Sequence, residues 1–327
     1  MTDVLILGGT GWLSGRVAER WLDAGASVTC LARGGRPVPY GARAVVADRD
    51  AADAYDAVAG RTWDEVVDVS SRAAHVTAAA AALTSSARHI TYVSSVSAYA
   101  RDDEPGADEN AQLADPAAPD DAYDYAREKS AAEAAVQAGF AHRAAVVRPG
   151  LIVGPGDPTD RFGYWVARFA GTAGAPVLIP DAPDARAQVI DVDDLAGFIV
   201  AVGRAGFVGT ANAVGDAVPL AEMLRVAREV AAHTGALVAA DPEWLVAQGV
   251  EYWAGPRSLP LWLPADMPGF ATRSNARYRL LGGALRPLRD TLVRTLVDER
   301  ERGLDRPRAA GLSRDEELAL IAALRPA

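Results

Sequence analysis

A tyrosine and a lysine stand four residues apart in Tyr125-Ala-Arg-Glu-Lys129. On a helix that spacing puts both side chains on one face. An ammonium beside a phenol lowers the phenol pKa from about 10 toward neutrality, which makes the tyrosine a usable proton donor or acceptor. The pattern alone is common, and its weight comes from what precedes it. An apolar stretch ends in Ser94-Ser95, and the chain opens on a glycine-rich turn in VLILGGTGWLSG. Gly8, Gly9 and Gly11 permit a tight turn and a close backbone approach to a pyrophosphate. The helix that follows adds free N–H groups and a favourable dipole. A purely structural glycine turn is the plain alternative. Farther on, VTCLARGGR carries Arg33 and Arg36 and lacks a carboxylate where a ribose 2′-hydroxyl would be gripped. Two guanidiniums there suit the oxygens of a 2′-phosphate; the bland reading is a pair of solvated loop charges. His75, His89, His142 and His233 have no metal-ligand or Ser-His-Asp spacing and read as surface or satisfied residues.

These groups need a scaffold, and the apolar runs supply one. Residues 4–7, 27–31, 44–47, 65–69, 89–93 and 144–147 read as buried strands. Helical spacing over 12–24, 51–59, 75–86 and 123–137 separates several of them. That alternation predicts βαβ units and a parallel sheet covered on both faces. Residues 100–121, rich in Asp, Ala and Pro, read as an exposed loop. The tail, 299–327, reads as charged and helical.

Half of the 327 residues are hydrophobic, which predicts a globular chain with a sizeable core. A net charge of -10 argues against nucleic acid as a partner. One cysteine, Cys30, rules out a disulfide within the chain and a Cys-rich metal site. Without a basic leader or an apolar span of about eighteen residues, the expectation is a soluble cytoplasmic protein with no membrane partner. The wealth of Ala, Arg, Gly and Asp is associated with bacterial genomes rich in GC.

The turn, the serine-bearing strand end and the Tyr–Lys pair together resemble the extended short-chain dehydrogenase/reductase family (NAD-dependent epimerase/dehydratase-like), in its reductase-like branch. In its G-x-x-G-x-x-G fingerprint the first two glycines are Gly8 and Gly11; Ser14 takes the third place, followed by Gly15. ITYVSSVSAY is similar to the family's catalytic strand end, where the serine stands four residues before a tyrosine, here Tyr99; that selects Ser95. The rival register Tyr123–Arg127 is set aside because the family pair ends in lysine. RPGLIVGP, from Arg148 to Pro155, and VIDVDDLA, from Val189 to Ala196, match further landmarks, with Asp194 as the expected helix cap. The resemblance covers residues 2–215 well and the rest loosely.

The resemblance implies an α/β fold: a Rossmann-type doubly wound parallel sheet with a smaller C-terminal substrate-binding domain. The dinucleotide-binding domain is expected over 1–170, with a segment returning near 188–215, and the cap over 171–327. The implied catalytic residues are Ser95, Tyr125 and Lys129. The implied cofactor contacts are Gly8, Gly9, Thr10, Gly11, Trp12, Leu13, Arg33, Arg36, Asp48, Ser70 and Lys129. Asp48 would meet the adenine amino group, or simply cap the next helix. NADP is the expected cofactor, with NAD as the other candidate, and a homodimer is open. Sugar-nucleotide epimerases usually carry an asparagine where this chain has Leu151, so the substrate is expected to be small and not a nucleotide. Tyr164, Trp165, Phe169, Trp244, Trp253 and Trp262 either line an aromatic pocket or pack the cap's own core. Three functions remain on these grounds: an NADP(H)-dependent oxidoreductase acting on a carbonyl or alcohol, a sugar-nucleotide epimerase or dehydratase, and a non-catalytic cofactor-sensing or RNA-binding relative.

Overall fold

The computed structural model describes residues 2–172 and 174–324. The first part of the chain alternates strand and helix: β1 (Asp3–Leu7), α1 (Trp12–Asp23), β2 (Ser27–Ala32), β3 (Arg43–Val46), α2 (Asp56–Ala59), β4 (Glu65–Asp68), α3 (Ala73–Leu83), β5 (Ile90–Val93), α4 (Tyr125–Phe140) and β6 (Ala144–Pro149). Then come β7 (Leu151–Val153), α5 (Arg161–Gly171), β8 (Val177–Pro180), β9 (Arg186–Ala187), β10 (Val189–Asp191), α6 (Val192–Ala205) and β11 (Gly209–Ala213). The remainder holds β12 (Val218–Pro219), α7 (Leu220–Val230), β13 (Leu237–Ala240), α8 (Pro242–Ala247), β14 (Glu251–Trp253), β15 (Ser258–Pro260), α9 (Ala276–Leu280), α10 (Leu288–Arg302) and α11 (Arg314–Ala323).

The chain divides into two compact units. The first comprises residues up to Leu151, Val192–Gly215 and Arg273–Ala284. Its seven-stranded sheet runs in the order β11-β6-β5-β4-β1-β2-β3, with every pair parallel. Parallel strands buried on both faces must be apolar throughout, which is why β1 and β2 read as unbroken apolar runs. Helices α3 and α4 cover one face with Val76, Ala79, Ala80, Leu83, Ala132, Val136 and Phe140. Alanines at 79 and 80 let the two helices approach closely. Helices α1 and α6 also pack together. Strand order reverses beside β1, between β2 and β4, and such a switch point opens a crevice at the carboxyl ends of the strands.

The second unit comprises Ile152–Asp191, Asp216–Thr272 and the chain from Leu285 onward. Its helices α5, α7 and α10 pack on one another, and β8 pairs with β13 in parallel. Tyr164, Trp165 and Phe169 of α5 are fully buried, with the Trp165 indole donating to Pro260 O at 2.7 Å. These aromatics serve the unit's own core.

The structure corrects several local expectations. The helix expected over 51–59 shrinks to α2, because Asp50, Asp53 and Asp56 favour local turns over helix interior. The helical tail is interrupted: α10 ends at Arg302, Gly303 turns with a φ of 96°, and α11 starts only at Arg314. Residues 325–327 of that expected helix lie outside the described residues. Asp194 stands within the first turn of α6 instead of capping it. The first stretch of the first unit runs to Leu151, and Arg273–Ala284 belongs to the same unit, packing on β11 and the loop after β5.

Candidate active site

The glycine turn sits between β1 and α1, where it was expected. Gly8 has a φ of 96°, a conformation costly for any other residue, and its N–H donates to Leu31 O at 2.8 Å. Gly9 is fixed by crowding: an added Cβ would lie 2.6 Å from the Cβ of Cys30 on β2. The close backbone approach in this turn is therefore against β2. Ser14, in the place of the family's third glycine, ties the turn together. Its hydroxyl donates to Gly8 O at 2.5 Å and accepts from Gly11 N at 3.0 Å. Gly11 is the N-cap of α1 and has no side chain to fill the helix N-terminus.

A cavity of about 540 Å³ opens at the ends of β1 to β4. Gly8, Thr10, Gly11, Arg33, Arg36, Asp48 and Ser70 line it. Gly9 lies beneath the turn, and Trp12 and Leu13 form the first turn of α1; none of the three lines the cavity. Asp48 caps no helix. Its Oδ1 accepts from Asp50 N at 3.1 Å in a local turn, and α2 starts only after Tyr55.

Four further polar side chains that the sequence did not single out as contacts also line the cavity: Arg49, Asp50, Arg72 and His75. Arg49 follows Asp48 directly and grips Asp68 at the end of β4 with both prongs, at 2.8 and 2.6 Å. It also donates to His75 O and to the Tyr55 hydroxyl, both at 2.8 Å. Asp68 in turn accepts from Ser70 N at 2.9 Å, so one buried ion pair fixes the rim. Paired guanidinium and carboxylate next to each other in VVADRD were the only hint.

The Tyr–Lys pair occupies the start of α4. Asp124 caps the helix, its Oδ1 accepting from Arg127 N at 2.9 Å, so Tyr125 is the first helical residue and Lys129 lies one turn on. Tyr125 is 42% exposed and Lys129 only 3%. The ammonium stands 5.9 Å from the Tyr125 ring centre. It donates to Ser70 O at 2.8 Å and to Val93 O at 2.7 Å, which ties α4 to the ends of β4 and β5. Burial pushes Lys129 down to about 8, against the opposing pull of Asp68 and Glu133. In the rival register, Tyr123 precedes the helix and is exposed, and Arg127 pairs with Asp121 at 2.7 Å.

Ser94 and Ser95 follow β5 directly. The Ser94 hydroxyl donates to Glu133 Oε1 at 2.5 Å and is thereby committed. Ser95 is 8% exposed and its Oγ accepts from Ser97 N at 3.1 Å, leaving its proton to offer. Glu133, one turn beyond Lys129, is held by both prongs of Arg148 at 2.9 and 2.7 Å. Arg148 continues to the Tyr99 hydroxyl at 2.9 Å, and Tyr99 to Asn212 Oδ1 at 2.6 Å. This buried network holds the serine-bearing strand end against α4 and β11.

In the second unit Trp262 lines a separate cavity of about 370 Å³ with Tyr252, their ring centres 4.2 Å apart. Trp253 packs edge-on against Phe270. Among the described residues no helix is long and apolar enough to cross a membrane, and no group of three or more His, Cys, Asp or Glu could hold a metal ion.

Comparison with known proteins agrees with this geometry. No curated protein sequence matches the chain. Solved structures share the fold across nearly its whole length. A proposed epimerase from Burkholderia cenocepacia superposes with a TM-score of 0.71 at 22% identity, covering 92% of this chain and 98% of that one. A nucleoside-diphosphate-sugar epimerase from Pseudomonas aeruginosa gives 0.68 at 19% identity, over 93% and 99%. UDP-glucose 4-epimerase from Thermus thermophilus, solved with NAD, gives 0.65 at 16% identity, over 91% and 99%. The family model described as "NAD dependent epimerase/dehydratase family" matches residues 4–215, which carry the turn, the serine-bearing strand end and the Tyr–Lys helix, and the chain belongs to that family.

Proposed function

We propose that this chain is an NADP(H)-dependent oxidoreductase that moves hydride between the nicotinamide and a carbonyl or alcohol carbon of a small, non-nucleotide substrate. Four guanidiniums around the cavity carry the cofactor reading: Arg33, Arg36, Arg49 and Arg72. A dinucleotide fits this donor set, with its pyrophosphate at the glycine turn before α1 and a 2′-phosphate among the arginines beyond β2. Asp48 and Ser70 would complete the adenosine side.

When bound, the cofactor supplies or accepts the hydride. The chain's own residues do the rest. Tyr125 gives its phenolic proton to the substrate oxygen as a carbonyl is reduced, and takes it back in the reverse direction. Ser95 donates to the same oxygen and orients it. Lys129, buried behind the phenol, favours its ionised form. The second unit is the proposed substrate-binding domain.

An epimerase or dehydratase that uses the cofactor transiently is the second reading, supported by the epimerases among the structural relatives. Leu151, buried and apolar, weighs against it, since it offers nothing to a nucleotide diphosphate. The deciding experiment mixes the protein anaerobically with NADPH and, separately, ketones, aldehydes and UDP-, GDP- and dTDP-sugars. Net loss of nicotinamide absorbance with a carbonyl compound supports the reductase. Sugar-nucleotide turnover without net loss would replace it with the epimerase.

A further inference from the structure

Within the cavity at the ends of β1 to β4 the basic groups face one carboxylate outside the cofactor contacts named above. Asp50 Oδ1 lies 2.8 Å from His75 Nε2, and Asp50 Oδ2 lies 4.0 Å from Arg72 Nη1. The imidazole's other nitrogen lies 3.4 Å from Ser70 Oγ, which fixes the ring between the two. The hydrogen bond from His75, with Arg72 and Arg33 in support, holds the Asp50 carboxyl below its ordinary value. Arg72 and His75 therefore meet one exposed carboxylate, and Arg33 lines the same cavity. Arg33 follows β2, whereas Arg72 and His75 open α3.

A carboxylate so placed does the work of an anion. We propose that Asp50 is a specificity-determining residue that occupies the 2′-phosphate's partners, so that a 2′-phosphorylated adenosine must displace it while a 2′-hydroxyl need not. The idea rests on the cofactor reading above and adds to it. Arginines alone would maximise affinity for NADP(H); Asp50 attenuates it and narrows the gap to NAD(H). The displaced carboxylate is exposed and returns to water, so the exchange is cheap in either direction.

The test uses the full-length chain and two fragments, 2′,5′-ADP and 5′-ADP, titrated by calorimetry into wild type and Asp50→Asn. Asparagine keeps the shape and removes the charge. Repulsion between a carboxylate and a dianionic phosphate at a screened site is worth on the order of tenfold in affinity. We expect 2′,5′-ADP to bind about tenfold more tightly to Asp50→Asn, with 5′-ADP changed by less than about twofold. Adding Arg72→Ala to Asp50→Asn should remove most of that gain. Unchanged or weaker binding of 2′,5′-ADP to Asp50→Asn overturns the proposal. Loss of 5′-ADP affinity in the variant also overturns it, since Asp50 would then be gripping the 2′-hydroxyl. If wild type binds 2′,5′-ADP more tightly than 5′-ADP and only the Asn effect is missing, the cofactor reading stands without the inference. If neither protein binds either fragment, both fall.

Discussion

Replacing Lys129 with methionine should change how stability depends on pH, and the size of the change follows from burial. The amine is 3% exposed, and its pKa falls from 10.5 to about 8, chiefly through lost solvation. Burial disfavours the charged form, so the folded state holds this proton less tightly than the unfolded chain. Below about pH 8 both states carry the proton, and the full penalty of burying a charge stands. Between about 8 and 10.5 the folded amine has lost its proton while the unfolded chain retains it, so stability rises with pH. Above that window the penalty is gone. At about 1.36 kcal/mol per pH unit, the whole effect is roughly 3 kcal/mol, of which about 2 fall between pH 7 and pH 9.5. Urea unfolding of both proteins without cofactor, across that range, isolates the effect, because other titrating groups cancel in the difference. Methionine also strips the donor from Ser70 O and Val93 O. That cost, about 1–3 kcal/mol for each buried carbonyl, is nearly constant with pH, because a neutral amine still donates. Wild type minus variant should therefore climb by about 2 kcal/mol from pH 7 to pH 9.5. A flat or falling difference would mean that the ammonium is solvated in the folded state, and the positioning of Lys129 argued above would be wrong.

Three further outcomes are expected. Tyr125→Phe should lower turnover by about a hundredfold to ten-thousandfold with NADPH affinity nearly intact, while Tyr123→Phe, outside the helix, should be nearly silent; the opposite pattern in steady-state kinetics would refute the assigned register. Arg33→Ala combined with Arg36→Ala should cut the preference for NADPH over NADH at least about tenfold, and calorimetry showing an unchanged ratio would mark both as solvated loop charges. Arg148→Met should cost about 3–5 kcal/mol because Glu133 is left charged and buried, and adding Glu133→Leu should restore part of the loss; equal unfolding midpoints for the single and double variants would show that the pair is not coupled.

Much of the fold was legible because its signals are local. Strands buried on both faces must be apolar along their length, so β1, β2 and β5 appear as runs that no surface segment would show. Gly8 must adopt a positive φ, and its neighbour Gly11 opens a helix, so the turn is written in adjacent residues. Tyr125 and Lys129 share a helix face by periodicity alone, and Asp124 caps that helix just before Tyr125. Local propensity failed where polar side chains offered the backbone an alternative, as in the aspartates around α2.

What only the tertiary structure decided is the company these residues keep. Arg33, Arg49, Arg72 and His75 come from the ends of three different strands, and the sheet order beside β1 is what gathers them around one cavity with Asp50. Cys30 presses on Gly9 because β2 pairs with β1 in one register. Arg273 stacks 4.5 Å over Tyr99 because a segment more than 170 residues later returns to the first unit. Backbone preferences act over a few residues and can be read from spacing. Convergence of charges depends on which strands pair with which, and that is settled by burial of the whole sheet.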